Sequence, residues 1–555
     1  MERKVRMKRL LPKLLVGILV LIFSVSVLSF LVKGKPGEPI GYQYNHETEV
    51  GGPFESSNTT SRYILTEAIV RDGSFLLNET QAKFAAPDVS YHNNTFLSIF
   101  TPGISFLAIP LYMLGSTVGL PQLFTFMTTL IVAILNVYLV MLLSRKFGAG
   151  KALSYASGLI FLFATNALSY SLTLTQHHYS VSIVLLGILN ALSSKRTMLN
   201  NIGFGLIFTA SLLFDIPNAF LLFPVGLYIL MKHFSFESVK DKVNVIIRPV
   251  GFWALIGLIP LLSLFGYYNF KTTGSYTLIG QSIGQSDYFD TDAKKQQKAL
   301  TEAKADAYER VETPFETRSQ LNGFYILLIS DERGIIYYNS VVLVGMLLLL
   351  LAYRYRRTRN VAELVGAVIL VNVVMYSAFG DVWGGWSFGP RYLIPATALL
   401  CASIGTLQLL KTKWKLGIVV ALIITLVLSI TINVAGALTT AAIPPKVEAE
   451  TLLQPLPYTY QLNFDLLNQN KSSSLLYNVF LSKYISATNF FFLVSSFIAV
   501  TIVAFVLVGM RKDFIVSFSK KDFFNLDRKK IIKVKKESLK RVKLATIKFR
   551  KVIKK

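Results

Sequence analysis

The stretch GDVWGGWSFGPRY, Gly380 to Tyr392, separates two apolar runs, Val361–Phe379 and Leu393–Leu410. Each run is near twenty residues, the length that carries a helix across a bilayer. The stretch itself holds two of the four tryptophans, four glycines, Asp381 and Arg391. That is far more polar and turn-forming chemistry than a short connection requires. Which membrane face it occupies decides how the rest of the chain is read.

Working outward, YRYRRTR precedes Val361 and KTKWK follows Leu410. Basic loops stay on the cytoplasmic side, so Gly380–Tyr392 is expected on the outer face. The same rule applied along the chain predicts an all-α polytopic membrane protein. It has about twelve transmembrane helices: Leu10–Val32, Phe124–Leu143, Leu153–Leu168, Ser180–Leu192, Phe204–Phe214, Ala219–Met231, Pro249–Tyr267, Ile336–Leu351, Val361–Phe379, Leu393–Leu410, Leu416–Val434 and Phe490–Met510. Both termini then lie in the cytoplasm of a plasma-membrane protein. Thr101–Gly115 is apolar as well, but counting it as a span would invert every later loop, so it is read as a helix near the outer surface. The resulting divisions are a membrane domain over 1–510 and a basic cytoplasmic tail over 511–555. Within the domain, 33–120 forms a first outer loop with surface helices and 271–335 a second.

Composition agrees. The 555 residues are 52% hydrophobic with mean hydropathy +0.50, outside the soluble range. The single cysteine, Cys401, excludes an intrachain disulfide framework. No HExxH, P-loop or dinucleotide fingerprint occurs. Net charge is +26, and the tail from Arg511 to Lys555 carries 18 Lys/Arg against 4 Asp/Glu. Beside a membrane helix such a tail fits anionic lipid better than nucleic acid.

Unusual residues collect on the expected outer face. Pro390 suits a first helical turn whose free amides attract an anion, and Arg391 adds a fork matched to phosphate. Trp383 and Trp386 can lie at headgroup depth or flank a lipid or sugar. Asp381 could orient Arg391 or contact an acceptor. Asp331, Glu332 and Arg333 form a charged turn, with Arg333 a second candidate for phosphate. Glu55, in a Gly/Pro/Ser turn, and Asp88, after Pro87, are the candidate catalytic carboxylates. Asp215 in FDIPN could contact an acceptor or cap the helix carrying Pro217. His177 and His178 could contact phosphate or sugar, or form a structural pair. His92 and the Arg62–Tyr63 pair complete the candidate set. No metal site is specified, although outer carboxylates could gather a divalent ion.

The segment WGGWSFGPRYLIPA resembles one in prokaryotic polytopic glycosyltransferases of the GT-C superfamily, similar to the family-39 protein-mannosyl and the aminoarabinose transferases. RYILTEAIVRDGSF, PDVSYHNNTFLSIFTPGISFLAIPLYMLG, FDIPNAFLLFPVGLYIL and SDERGIIYYNSVVLV have counterparts there in the same order, over roughly Leu10 to Leu410. The resemblance implies a sugar donor on polyprenyl phosphate at the outer leaflet, moved to an outer-face glycan, lipid or protein. It also implies an acidic residue of the first outer loop as general base, and positive charge facing the lipid phosphate. In aminoarabinose-type members an acidic pair precedes the Arg-Tyr. Here Thr59-Thr60-Ser61 stands before Arg62-Tyr63, and the nearest upstream acid is Glu55. A lipid or solute transporter and a non-catalytic GT-C-like assembly protein are the alternatives.

Overall fold

The computed structural model describes residues 2–34, 51–194, 197–239, 242–290, 292, 294–297, 315–411 and 414–517. The chain is a helical multi-pass membrane protein. Each of the twelve apolar runs is helical, and six helical segments are long and apolar enough to cross a membrane individually. The number and direction of the crossings remain expectations. From Phe518 on, the basic tail and its expected lipid contact lie outside the described residues, as does most of the polar stretch from Ser286 to Gln320.

The bundle opens with α1 (Glu2–Leu31). The first outer loop then folds into α2 (Ser57–Arg71), α3 (Glu79–Ala85), a hairpin of β1 (Val89–His92) and β2 (Thr95–Ser98), and α4 (Gly103–Thr117). The long apolar helices follow: α5 (Pro121–Lys146), α6 (Lys151–Phe163), the short α7 (Ala167–Ser171), α8 (His177–Ala191), α9 (Met198–Phe214) and α10 (Asn218–Met231). A second hairpin, β3 (Phe234–Val239) with β4 (Lys242–Ile247), turns the chain into α11 (Trp253–Thr273). Gly205 and Gly257 let α9 and α11 meet backbone to backbone, since a Cβ on either would strike the other helix. Small residues at such contacts replace the hydrophobic drive that lipid removes.

Of the helices in the segment expected to form the first outer loop, α2 is more enclosed than a surface helix. Residues 58–68 of α2 are buried without interruption, and Tyr63 is enclosed by Phe54 and Tyr112. A helix with no exposed face is an interior element. The hairpin was also unforeseen. Asn93 and Asn94 adopt φ of 49° and 59°, the primed-turn conformation that Asn tolerates and tight hairpins require.

Two apolar runs expected to be continuous are broken. The run Leu153–Leu168 stops at Phe163, and Ile336–Leu351 divides into Ile335–Tyr338 and Val342–Ala352. The breaks face each other. Asn339 Oδ1 accepts from the Asn166 backbone amide at 2.8 Å, and Asn339 Nδ2 donates to Asn166 Oδ1 at 2.9 Å. Asn433 Nδ2 donates to the Tyr338 carbonyl at 2.9 Å. Backbone groups freed inside a bundle need such partners, and the three asparagines supply them.

Candidate functional site

One cavity of about 850 Å³ draws on nearly every segment expected on the outer face. Glu55 and Asp88 reach it from the first outer loop, Asp215 from the α9–α10 turn, and Asp381, Trp386 and Arg391 from the tryptophan-rich loop. Ile216, Phe220, Phe315, Met375 and Phe379 form an apolar flank. Four carboxylates therefore surround one lining guanidinium.

Arg391 is placed by the loop around it. Its backbone amide donates to Gly389 O at 2.9 Å, and the following helix starts as a tight turn at Arg391–Leu393. The expected anion site on free amides does not form, because Leu393 N donates back to Pro390 O. The positive charge comes from the guanidinium instead, whose Nε is buried without a hydrogen-bond partner. Among the described residues Arg391 has no carboxylate in ion-pair contact. Gly384 makes room for it: φ is +70°, and a Cβ there would fall 2.5 Å from Arg391 Nε. Asp381, a candidate to orient Arg391 or to contact an acceptor, accepts from the Gly384 amide at 3.0 Å through Oδ1 and shapes the turn.

Asp88 holds a carboxylate between two neutral donors. Ser57 Oγ donates to Oδ2 at 2.8 Å and Gln285 Nε2 to Oδ1 at 2.7 Å. Glu55 is bound differently. Lys33 Nζ lies 2.9 Å from Oε1, the Ala441 amide donates to the same oxygen at 2.9 Å, and Thr440 Oγ1 donates to Oε2 at 2.6 Å. The two side chains of this ion pair are 2% and 3% exposed. It ties α1, the first outer loop and the segment after Leu438 together. Removing one partner of a buried pair strands the other charge. Lys33→Met should therefore destabilise the protein by about 3 kcal/mol. Lys33→Met with Glu55→Gln should recover much of that loss in a thermal melt in detergent. Equal melting points for wild type and Lys33→Met would exclude this role.

The Asp215 side chain does not cap α10, although its backbone ends α9 as the C-cap residue. Pro217 stands at the N-cap of α10 with no side-chain cap bond, and the Asp215 carboxylate faces the cavity. Burial pushes this carboxyl up from 3.8 to about 6, against the opposing pull of Arg62, Gln281 and Arg391. The folded protein thus holds the proton more tightly than the unfolded chain. Its contribution to stability is complete below 3.8 and is lost as pH rises through about 6, a change of roughly 3 kcal/mol. Melting temperature should fall with pH across that window, and Asp215→Asn should flatten the fall. Parallel curves for the two proteins would contradict it.

Several candidates stand behind the cavity wall. Arg62 is 1% exposed, donates to Asn58 and to Gln176 Oε1 at 3.1 Å, and lies 3.9 Å over the Phe100 ring. Burial lowers it to about 10, with Asp215 and Asp88 acting in the opposite sense, so it stays cationic at neutral pH. Arg333 is a correction. It is fully buried and braces the loop, donating to the carbonyls of Glu332, Trp383, Gly385 and Ile443 and to Ser387 Oγ. Four of its five N–H groups are turned to protein, with Nε–H shared between Trp383 O and Ser387 Oγ, and it does not line the cavity. Trp383 donates to Glu332 Oε2 at 2.9 Å, and Trp386 to Glu448 Oε2 at 2.5 Å. His178 Nε2 meets the Ala167 carbonyl at 2.8 Å, and Asn136 Nδ2 donates to the His178 carbonyl. His177 stands edge-on to Tyr170 at 4.7 Å. His178 is thus held by backbone carbonyls, while His177 Nε2 is buried without a hydrogen-bond partner among the described residues. His92 pairs with Thr95 at the hairpin tip. Among the described residues no group of three or more His, Cys, Asp or Glu side chains could hold a metal ion, and no step is routed through one.

The sequence reading missed residues that complete the site. Gln285, Gln281, Ser57 and Gln176 line the cavity beside its charges. Thr440 and Ala441 come from a stretch that carried no motif. Neutral polar residues give no signal until the fold sets them against a carboxylate.

No protein-family model and no curated protein matches this chain. Among solved structures it is similar to ArnT from Cupriavidus metallidurans bound to undecaprenyl phosphate. That match has 13% identity and a TM-score of 0.45 over 89% of this chain and 76% of the other. It is also similar to the archaeal oligosaccharyltransferase AglB from Archaeoglobus fulgidus in complex with an inhibitory peptide and a dolichol-phosphate. There the identity is 12% and the TM-score 0.40, over 81% of this chain and 60% of that one. The chain thus spans about three fifths of the archaeal enzyme's length.

Proposed function

We propose that this protein is a membrane glycosyltransferase that moves a sugar from a polyprenyl-phosphate carrier to an acceptor on the outer face. The observation that carries this reading is the joining, in one cavity, of a guanidinium that no carboxylate contacts among the described residues, several carboxylates and an apolar flank. A lipid-phosphate donor has matching parts. Its phosphate needs a cation, its prenyl tail an apolar groove, and its sugar polar partners.

Asp88 is the general base in this reading. Its oxygens accept from the neutral donors Ser57 and Gln285, whereas the Glu55 carboxylate is already engaged in a buried ion pair with Lys33. Asp88 takes the proton from the acceptor hydroxyl as the acceptor oxygen bonds to the anomeric carbon. The bond from that carbon to the phosphate oxygen breaks, and the polyprenyl phosphate leaves with its charge against Arg391. Ile216, Phe220, Phe315, Met375 and Phe379 receive the first isoprene units, and Asp215 and Trp386 contact sugar or acceptor. Both termini are cytoplasmic, so the cavity opens to the outer leaflet.

The test is purified protein in proteoliposomes with radiolabelled polyprenyl-phosphate sugars and envelope glycan, lipid or peptide acceptors. Label appearing on an acceptor supports the reading. Carrier moved between leaflets with its sugar still attached would make the protein a transporter instead.

A further inference from the structure

Residues Gly280–Gln285 read GQSIGQ, the dipeptide Gly-Gln repeated four residues apart. Gln285 Nε2 donates to Asp88 Oδ1 at 2.7 Å, and Gln281 lines the same cavity as Asp215. Both glutamines line the cavity. We propose that this repeat is a positioning clamp, in which Gln285 sets the Asp88 carboxylate and Gln281 the Asp215 carboxylate at a fixed spacing for an acceptor between them.

The rest of the repeat serves docking. Leu278 and Ile283 are buried with Leu97, so the apolar residues seat the strap on the β1–β2 hairpin while the glutamines turn the other way. Ser90 Oγ donates to the carbonyls of both glycines, at 3.2 Å for Gly280 and 2.5 Å for Gly284. The Ser286 amide donates to Val89 O at 2.9 Å. Gly280 lies so close to the hairpin that a Cβ would come 2.6 Å from Ser98 O, and Gly284 has φ +84°. Each repeat thus pairs a residue with no side chain, at the docking surface, with an amide that lines the cavity.

A neutral amide suits this task. It donates to a carboxylate without cancelling its charge, and a bond to the ionised form favours that form. The clamp rests on the transferase reading for its purpose but not for its geometry. Infrared titration separates the two, with the carboxyl bands assigned through Asp88→Asn and Asp215→Asn, because it needs no turnover. In Gln285→Leu the Asp88 band should titrate roughly one pH unit higher than in wild type, a gain of about tenfold in proton affinity. Gln281→Leu should shift Asp215 in the same direction. Where the protein transfers sugar, Gln285→Leu should lower kcat about tenfold and move the acid limb upward, with an unchanged melting temperature. Gln285→Glu should shift Asp88 further, since a like charge replaces a donor. Unmoved bands in both leucine variants would overturn the clamp, even in an active transferase. Shifted bands in a protein that transfers nothing would keep the clamp and remove the transferase.

Discussion

Arg391→Leu is expected to lower sugar transfer, as kcat/KM, by about a thousandfold while leaving the protein folded. The proposed leaving group is a phosphate, and the charge it gains as the bond breaks must be met in a site poor in water. Among the described residues lining the cavity Arg391 is the only cation, and its buried Nε has no protein partner to give up. Its loss therefore removes an interaction that strengthens towards the transition state. Arg391→Lys should fall between the two, because the charge remains and the planar fork does not. Transfer rates with purified carrier and melting curves in detergent together test this. Transfer by Arg391→Leu within a few-fold of wild type would place the phosphate elsewhere.

The second large effect is expected at Asp88. Asp88→Asn keeps the shape and loses the base, and kcat should drop about a thousandfold with little change in KM. Glu55→Gln provides the contrast. Its carboxylate is held by Lys33, Ala441 and Thr440, so its loss should appear first in stability, with a smaller drop in turnover. If Glu55→Gln abolished turnover in a fully folded protein while Asp88→Asn remained active, the two roles would be exchanged.

The contrast shows how far the sequence could be read. Glu55 and Asp88 were equal candidates, since each is an acid in a turn of the first outer loop. What separates them is a lysine from the end of α1 and a threonine 385 residues away in the chain. Arg333 stood as a second phosphate candidate behind Arg391. One is enclosed by carbonyls of the tryptophan-rich loop and the other borders the cavity. The GQSIGQ repeat was visible but silent, because an amide has meaning only beside the group it meets.

The chain's own order of residues determined the helical membrane class, the twelve apolar runs and the grouping of unusual residues into one set of loops. These depend on local quantities: apolar length against bilayer thickness, and basic charge at loop ends. Tertiary structure alone decided where two runs break, that α2 lies in the interior, and which acids and arginines border the cavity. Those outcomes depend on partners brought together from distant segments, such as Asn166 with Asn339 and Asp88 with Gln285. A buried polar group is settled by what it meets after folding, and no local pattern carries that information.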